Sequence, residues 1–229
     1  MINKYIKLCF CILIFFSKLH SQEIISKINF DANFNQNKLE LNKYILLNKS
    51  DSISIETIKF YISYIQLLNN DSIKYQEPNS YHLIDFENVS TKTISLNLPP
   101  NTHYNIIKFN LGIDSATNVS GALGGELDPT KGMYWTWQNG YINFKLEGKS
   151  NICQSRNNEF QYHLGGYIYP NNAIQEIILN IKNINSLNIS INLDNLFPNL
   201  NLSTKNHIMS PSLESVKLSK IIANSFEIK

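Results

Sequence analysis

Six short runs in which apolar and polar residues alternate, with no amphipathic helix between them, confine this chain to an all-β architecture. Ile58, Phe60, Ile62 and Tyr64 form one apolar face, and Ile94, Leu96 and Leu98 form a second. Ile107, Phe109 and Leu111, then Ile142, Phe144 and Leu146, then Ile177, Leu179 and Ile181, then Leu187, Ile189, Ile191 and Leu193 repeat the pattern. Turn-forming segments at 69–72, 99–102, 114–132 and 170–172 separate the runs. Half-buried strands at this spacing predict an antiparallel β-sandwich or flattened barrel with one long functional loop. A short helix is expected at the end. There Ser210 can cap, Pro211 suits the first helical position, and Leu218, Ile221, Ile222 and Phe226 fall on one stripe.

The first twenty-one residues stand apart from that pattern. Lys4 and Lys7 precede an apolar run from Leu8 to Phe16, and Ser21/Gln22 is a small-residue cleavage point, so residues 1–21 are read as a secretory signal and 22–229 as one β domain. The run is too short to span a bilayer as a helix, so no transmembrane segment is expected in the mature chain. Cys9 and Cys11 leave with the signal, and the lone Cys153 cannot form an intramolecular disulfide. Loss of Lys4, Lys7 and Lys18 takes the formal charge from +2 to −1, which makes nucleic acid a poor partner.

A non-periodic stretch of this length inside a compact domain usually serves a function, and the one from Leu111 to Tyr141 is therefore the first place to look. It holds Gly121, Gly124, Gly125 and Gly132, four of the chain's nine glycines, and closes on Trp135-Thr136-Trp137, the only two tryptophans. On a strand these two indoles share a face, either capping the core or forming a platform for a sugar or protein partner. Asp114, Asn118, Glu126 and Asp128 supply oxygens that could hold calcium or simply structure the loop. His163 alternates with Phe160, Tyr162 and Leu164, so it faces away from the core just before Gly165-Gly166, where an imidazole can ligate a metal. His207 and Met209 make an i, i+2 pair of a kind that suits copper(I), because a thioether is soft. His82 and His103 read as surface histidines. No hydrolase, zinc-protease, dithiol, haem-attachment or P-loop motif is present, so the chain is not expected to be an enzyme.

Several strings in this order resemble the MbnP-like family of methanobactin-associated periplasmic proteins, relatives of the copper-repressible surface proteins. They are Phe60-Tyr61-Ile62-Ser63, Tyr81-His82-Leu83-Ile84-Asp85, Leu111-Gly112-Ile113-Asp114-Ser115, Leu127-Asp128-Pro129, Gly132 to Tyr141, Lys145-Leu146-Glu147-Gly148, Tyr162-His163-Leu164-Gly165-Gly166 and His207-Ile208-Met209-Ser210-Pro211. The resemblance implies a β-sandwich protein in the periplasm or on the surface of a Gram-negative bacterium. It further implies copper bound by histidine and by a tryptophan oxidised to kynurenine, the oxidation being carried out by a partner di-haem enzyme of the cytochrome c peroxidase type. Carried over by position, the tryptophan role falls on Trp135 or Trp137 and the histidine role on His163. Where a relative has a histidine two residues after the modified tryptophan, this chain has Trp137 or Asn139, and Phe30 to Phe34 lacks the family's early histidine. His207, Met209 or His103 would then complete the copper site.

Overall fold

The computed structural model describes residues 24–229. The expected signal segment, with Cys9, Cys11 and the Ser21/Gln22 cut, lies outside the described residues. In chain order the strands are β1 (Ile24–Phe34), β2 (Asn37–Lys38), β3 (Tyr44–Leu46), β4 (Ser52–Asn69), β5 (Ser72–Gln76), β6 (Tyr81–Asp85), β7 (Thr93–Leu98) and β8 (Ile106–Leu111). After the long loop come β9 (Tyr134–Trp135), β10 (Gly140–Ser150), β11 (Glu159–Gly165), β12 (Gln175–Asn180), β13 (Ser186–Asn192), β14 (His207–Ile208) and β15 (Phe226–Ile228). Among the described residues two α-helices accompany them, α1 (Ser115–Val119) in the loop and α2 (Leu213–Ala223) near the end.

Five strands form a small sheet in the order β15-β13-β1-β2, with β7 also paired to β1. Ten form a large one, β12-β8-β4-β10-β11-β14, with β3, β5 and β6 on β4 and β9 on β10. The alternating runs face one another between the sheets, except that Ile142, set apart from Phe144 by an irregularity in the β10–β11 register, joins the outer face, and the core is aromatic at its centre. Phe60 stacks on Phe144 at 5.7 Å and meets Phe30 and Phe226 edge-on at 6.0 and 5.7 Å. Contacts of this kind contribute roughly 0.5–1.5 kcal/mol each beyond their burial.

The structure departs from the purely antiparallel expectation at two ladders. β1 runs parallel to β13, and β11 runs parallel to β14. Alternation says which face of a strand is buried and nothing about the direction of its neighbour, so mixed sheets satisfy the same pattern. Tyr64 leaves its predicted face as well. It is half exposed with φ 57°, at a bulge that shifts the register of β4 between Ser63 and Gln66, and Ile65 and Leu67 carry the core face onward. At the end of the chain Ser212, not Ser210, caps α2, accepting from the Ser215 amide. Phe226 belongs to β15 rather than to the helical stripe, because Ser225 ends the helix through bonds to Ile221 and Ile222 and returns the chain to pair with β13.

One property of β4 positions everything that follows. β6 pairs with one edge of this 18-residue strand, at both Phe60 and Ile62, while on the other edge Phe60 pairs with Phe144 of β10 and Ile62 with Leu111 of β8. β8 therefore departs, and β10 arrives, at the same point. The chain between them, residues 112–139, folds back over the outer face of the large sheet.

Candidate metal centre on the outer face of the large sheet

Residues that alternate away from the core on a solvated sheet are normally polar, but here the returning loop buries some of them. Tyr61 and Leu83 point outward from β4 and β6, and with Ile113, Leu127, Met133, Trp135, Tyr141 and Ile142 they form a second apolar cluster beneath the loop. Tyr61 and Tyr141 meet edge-on at 5.8 Å. The Tyr61 hydroxyl donates to the Glu126 carbonyl, and burial pushes its pKa well above the ordinary tyrosine value.

The loop's acidic and amide residues build this cover. Asp114 caps α1 by accepting from the Thr117 amide at 2.9 Å, and it also accepts from the Thr117 and Tyr81 hydroxyls at 2.8 and 3.0 Å. Asn118 is buried. Its Nδ2 donates to the carbonyls of Ile113 and Asp114, and its Oδ1 accepts from the Tyr141 amide. Asp128 accepts from the amide and hydroxyl of Thr130, and Glu126 pairs with Lys131 at 2.8 Å. Gly132 ends the last turn at φ 72°, the left-handed conformation in which a helix stop favours glycine. These oxygens structure the loop through protein donors.

Burial works to raise the Asp114 pKa, but the Thr117 amide and hydroxyl and the Tyr81 hydroxyl outweigh it and hold the carboxyl below its usual value. A depressed carboxylate stabilises the fold above its unfolded pKa and loses that contribution as pH falls through the folded value. Asp114→Ala is therefore expected to cost about 1 kcal/mol near neutral pH, the usual worth of such a cap. The deficit should shrink on acidification, and urea unfolding at pH 7 and pH 3 measures both.

Trp135 and Trp137 do not make the single aromatic surface that strand spacing suggests. β9 ends at Trp135, and the chain turns, with the Gln138 amide donating to the Trp135 carbonyl, before Gly140 pairs back with Trp135. Trp135 is only 5% exposed while Trp137 is 66% exposed, their rings 6.0 Å apart and inclined at 46°. The Trp135 ring lies over Gly165, where a Cβ would come within 2.8 Å of it. Its Nε1 is buried with no hydrogen-bond partner among the described residues, a costly state for an N–H in a native protein.

His163 lies two residues before that glycine, on the same outward face of β11. The imidazole is 6% exposed, and its Nε2 lies 2.5 Å from Glu147 Oε1 of β10. The hydrogen bond with His163 holds the Glu147 carboxyl below its ordinary pKa against the opposing effect of burial. Register carries other groups to this face. Asp85, Lys59, Lys145 and His163 stand in one row across four strands, and Thr57, Glu147, Gln161 and His207 stand in the next. Lys59 reaches Asp85 at 3.0 Å and Glu87 at 3.1 Å. Lys145, its pKa drawn down by burial, donates to the Gly132 carbonyl at 2.7 Å and so ties the loop to the sheet.

β14 runs parallel to β11 with His207 opposite Gln161 and Ile208 opposite Tyr162. Met209, half exposed, follows directly after this short strand. Ile208 faces the core, so His207 faces outward, on the same side as His163. His82 pairs with Glu77 at 2.8 Å, and the exposed His103 precedes β8. Among the described residues no three His, Cys, Asp or Glu side chains converge to hold a metal. A metal held by His163 would therefore need a donor of another kind, such as the Met209 thioether. Sequence reading missed Glu147 and Lys145. Their outward alternation was available, but their adjacency to His163 depends on register.

Among the described residues no helix is long and apolar enough to cross a membrane. No curated protein matched this chain. The structure of MbnP from Methylosinus trichosporium superposes with a TM-score of 0.62 over 85% of this chain and 87% of that one, at 13% identity, and shows that the fold is shared. The sequence profile of the family described as MbnP matches residues 23–210, most of the chain, and this protein accordingly belongs to the MbnP family.

Proposed function

We propose that this protein is an exported copper(I)-binding protein whose site is built from His163 and a Trp135 oxidised to kynurenine, with His207 or Met209 completing it. One observation carries the reading: the indole nitrogen of Trp135 is buried and unpartnered among the described residues, and its ring packs over Gly165 on the face that carries His163, whose Nε2 meets a carboxylate. Conversion to kynurenine breaks the indole C2–C3 bond and inserts an oxygen on each carbon. Two equivalents of hydrogen peroxide, consumed by a partner di-haem enzyme of the cytochrome c peroxidase type, are reduced to water, and hydrolysis of the formyl amide releases formate. Nε1 of the original ring becomes the aryl amine, so the unpartnered atom becomes the donor.

The chain's own residues support such a site. Glu147 orients His163 through Nε2, as carboxylates commonly do for metal-binding histidines, and leaves Nδ1 as the free donor. Imidazole, aryl amine and thioether at low coordination favour copper(I) over harder ions. The loop cluster excludes water from the inner side of Trp135. Export rests on the N-terminal segment and on the family, and it places the chain in the periplasm or on the cell surface. The competing idea of a glycan or protein platform made of both indoles is weakened by the burial of Trp135, which leaves Trp137 alone on the surface. Titration of protein from its native host against a chromogenic copper(I) chelator tests the reading. One tightly held equivalent is expected, and no retention of copper(I) would refute it.

A further inference from the structure

We infer that Trp137 is the surface relay through which Trp135 is oxidised, an inference that rests on Trp135 being the modified residue. The difficulty it resolves is geometric. Trp135 is packed between the loop and Gly165 and is 5% exposed, so an external oxidant cannot reach its ring. Trp137 sits at the turn between β9 and β10, is 66% exposed, and has its ring centroid 6.0 Å from that of Trp135. The turn that separates the two residues in burial also holds them in contact, through the bond from the Gln138 amide to the Trp135 carbonyl and the pairing of Gly140 with Trp135.

The other aromatic residues of the loop are poorer carriers. Tyr134 and Tyr141 meet at 4.9 Å, and Tyr141 meets Tyr61 at 5.8 Å, so a tyrosine path exists on the inner side. A phenol must shed its proton when it loses an electron. The Tyr61 hydroxyl donates to a backbone carbonyl, the Tyr141 hydroxyl reaches the Gly121 carbonyl, and neither is a base. An indole can carry the charge with its proton in place. The unpartnered Nε1 of Trp135 has no acceptor to take that proton, so the oxidised ring persists as a radical cation, electrophilic at C2 and C3.

Electrons balance at each pass. A peroxide-charged haem takes one electron from Trp137, Trp137 recovers it from Trp135, and the haem oxidant is reduced by one equivalent while Trp137 returns to its starting state. Four passes remove the four electrons that the conversion requires and reduce two peroxides to four waters at the haem, while two water molecules add at C2 and C3 to supply the oxygen atoms and release four protons.

The test needs no partner enzyme. The unmodified mature chain is photo-oxidised at low dose with ruthenium tris(bipyridine) and persulfate in air, and oxygenated products at Trp135 are quantified by peptide mapping in the parent, Trp137→Phe and Trp137→Tyr. Trp137→Phe is expected to slow oxidation at Trp135 by about tenfold or more, equivalent to roughly 1.4 kcal/mol of barrier. Trp137→Tyr, which keeps an oxidisable ring, should restore part of the rate. Equal oxidation of Trp135 in Trp137→Phe would overturn the relay. So would a loss in Trp137→Phe with no recovery in Trp137→Tyr, since it would point to packing rather than electron transfer. Intact Trp135 in protein from the native host would instead refute the proposed function, and it is read on a different sample.

Discussion

Replacing His163 by alanine is expected to abolish tight copper(I) binding, with a loss exceeding the 10–100-fold that removal of a ligand's supporting partner typically causes. His163 is the buried imidazole on the outer face, and its place there, two residues before the glycine that Trp135 covers, follows from register rather than from a flexible side chain. Alanine also leaves the half-buried Glu147 carboxylate without its hydrogen bond, at a cost of about 1–3 kcal/mol. His163→Gln separates the two effects. Its amide can still donate to Glu147 but is a poor copper(I) ligand, so melting should stay near the parent while copper retention is lost. Chelator competition and thermal unfolding on both variants provide the check, and retained affinity in His163→Gln would move the site elsewhere.

Gly165→Ala is expected to have the largest effect on the loop. A Cβ there would stand 2.6 Å from the Tyr141 carbonyl oxygen and 2.8 and 3.1 Å from Cζ3 and Cη2 of Trp135. The first neighbour is backbone of the adjacent strand and cannot step aside, so the indole or the strand must shift. Overpacking of this kind costs about 1–3 kcal/mol. The expected signature is a lower urea midpoint together with red-shifted tryptophan emission as Trp135 is levered toward solvent. Gly124→Ala serves as the control, because nothing lies within 4 Å of a Cβ there, and its stability should change by no more than about 0.5 kcal/mol. An unshifted emission in Gly165→Ala would contradict the packing of Trp135 described above.

Much of the architecture was legible in the sequence because burial on one face writes itself as alternation. Ile58, Phe60 and Ile62, Ile107 to Leu111, and Leu187 to Leu193 all face the core as their pattern requires. Tyr64 broke the pattern because a bulge inserts an extra residue, and nothing in its neighbours announces one. Strand spacing puts Trp135 and Trp137 on one face, but β9 ends at Trp135 and Trp137 lies two residues beyond it, in the turn. Asp114, Asn118 and Asp128 accept hydrogen bonds from the amides of Thr117, Tyr141 and Thr130, contacts that residue type alone does not specify. The face that His163 shares with His207 does not follow from alternation, because parallel pairing of β14 with β11 joins segments more than forty residues apart. The second apolar cluster was equally hidden. Its members look like scattered core residues until the loop is seen to return over Tyr61 and Leu83.

The central claim is that Trp135 is the residue converted to a metal donor, and tandem mass spectrometry of the peptide from Gly132 to Lys145 in protein from its native host tests it most directly. The account predicts the kynurenine mass on Trp135 with Trp137 intact. Trp135 found unmodified in that peptide, whether or not Trp137 is oxidised, would contradict it.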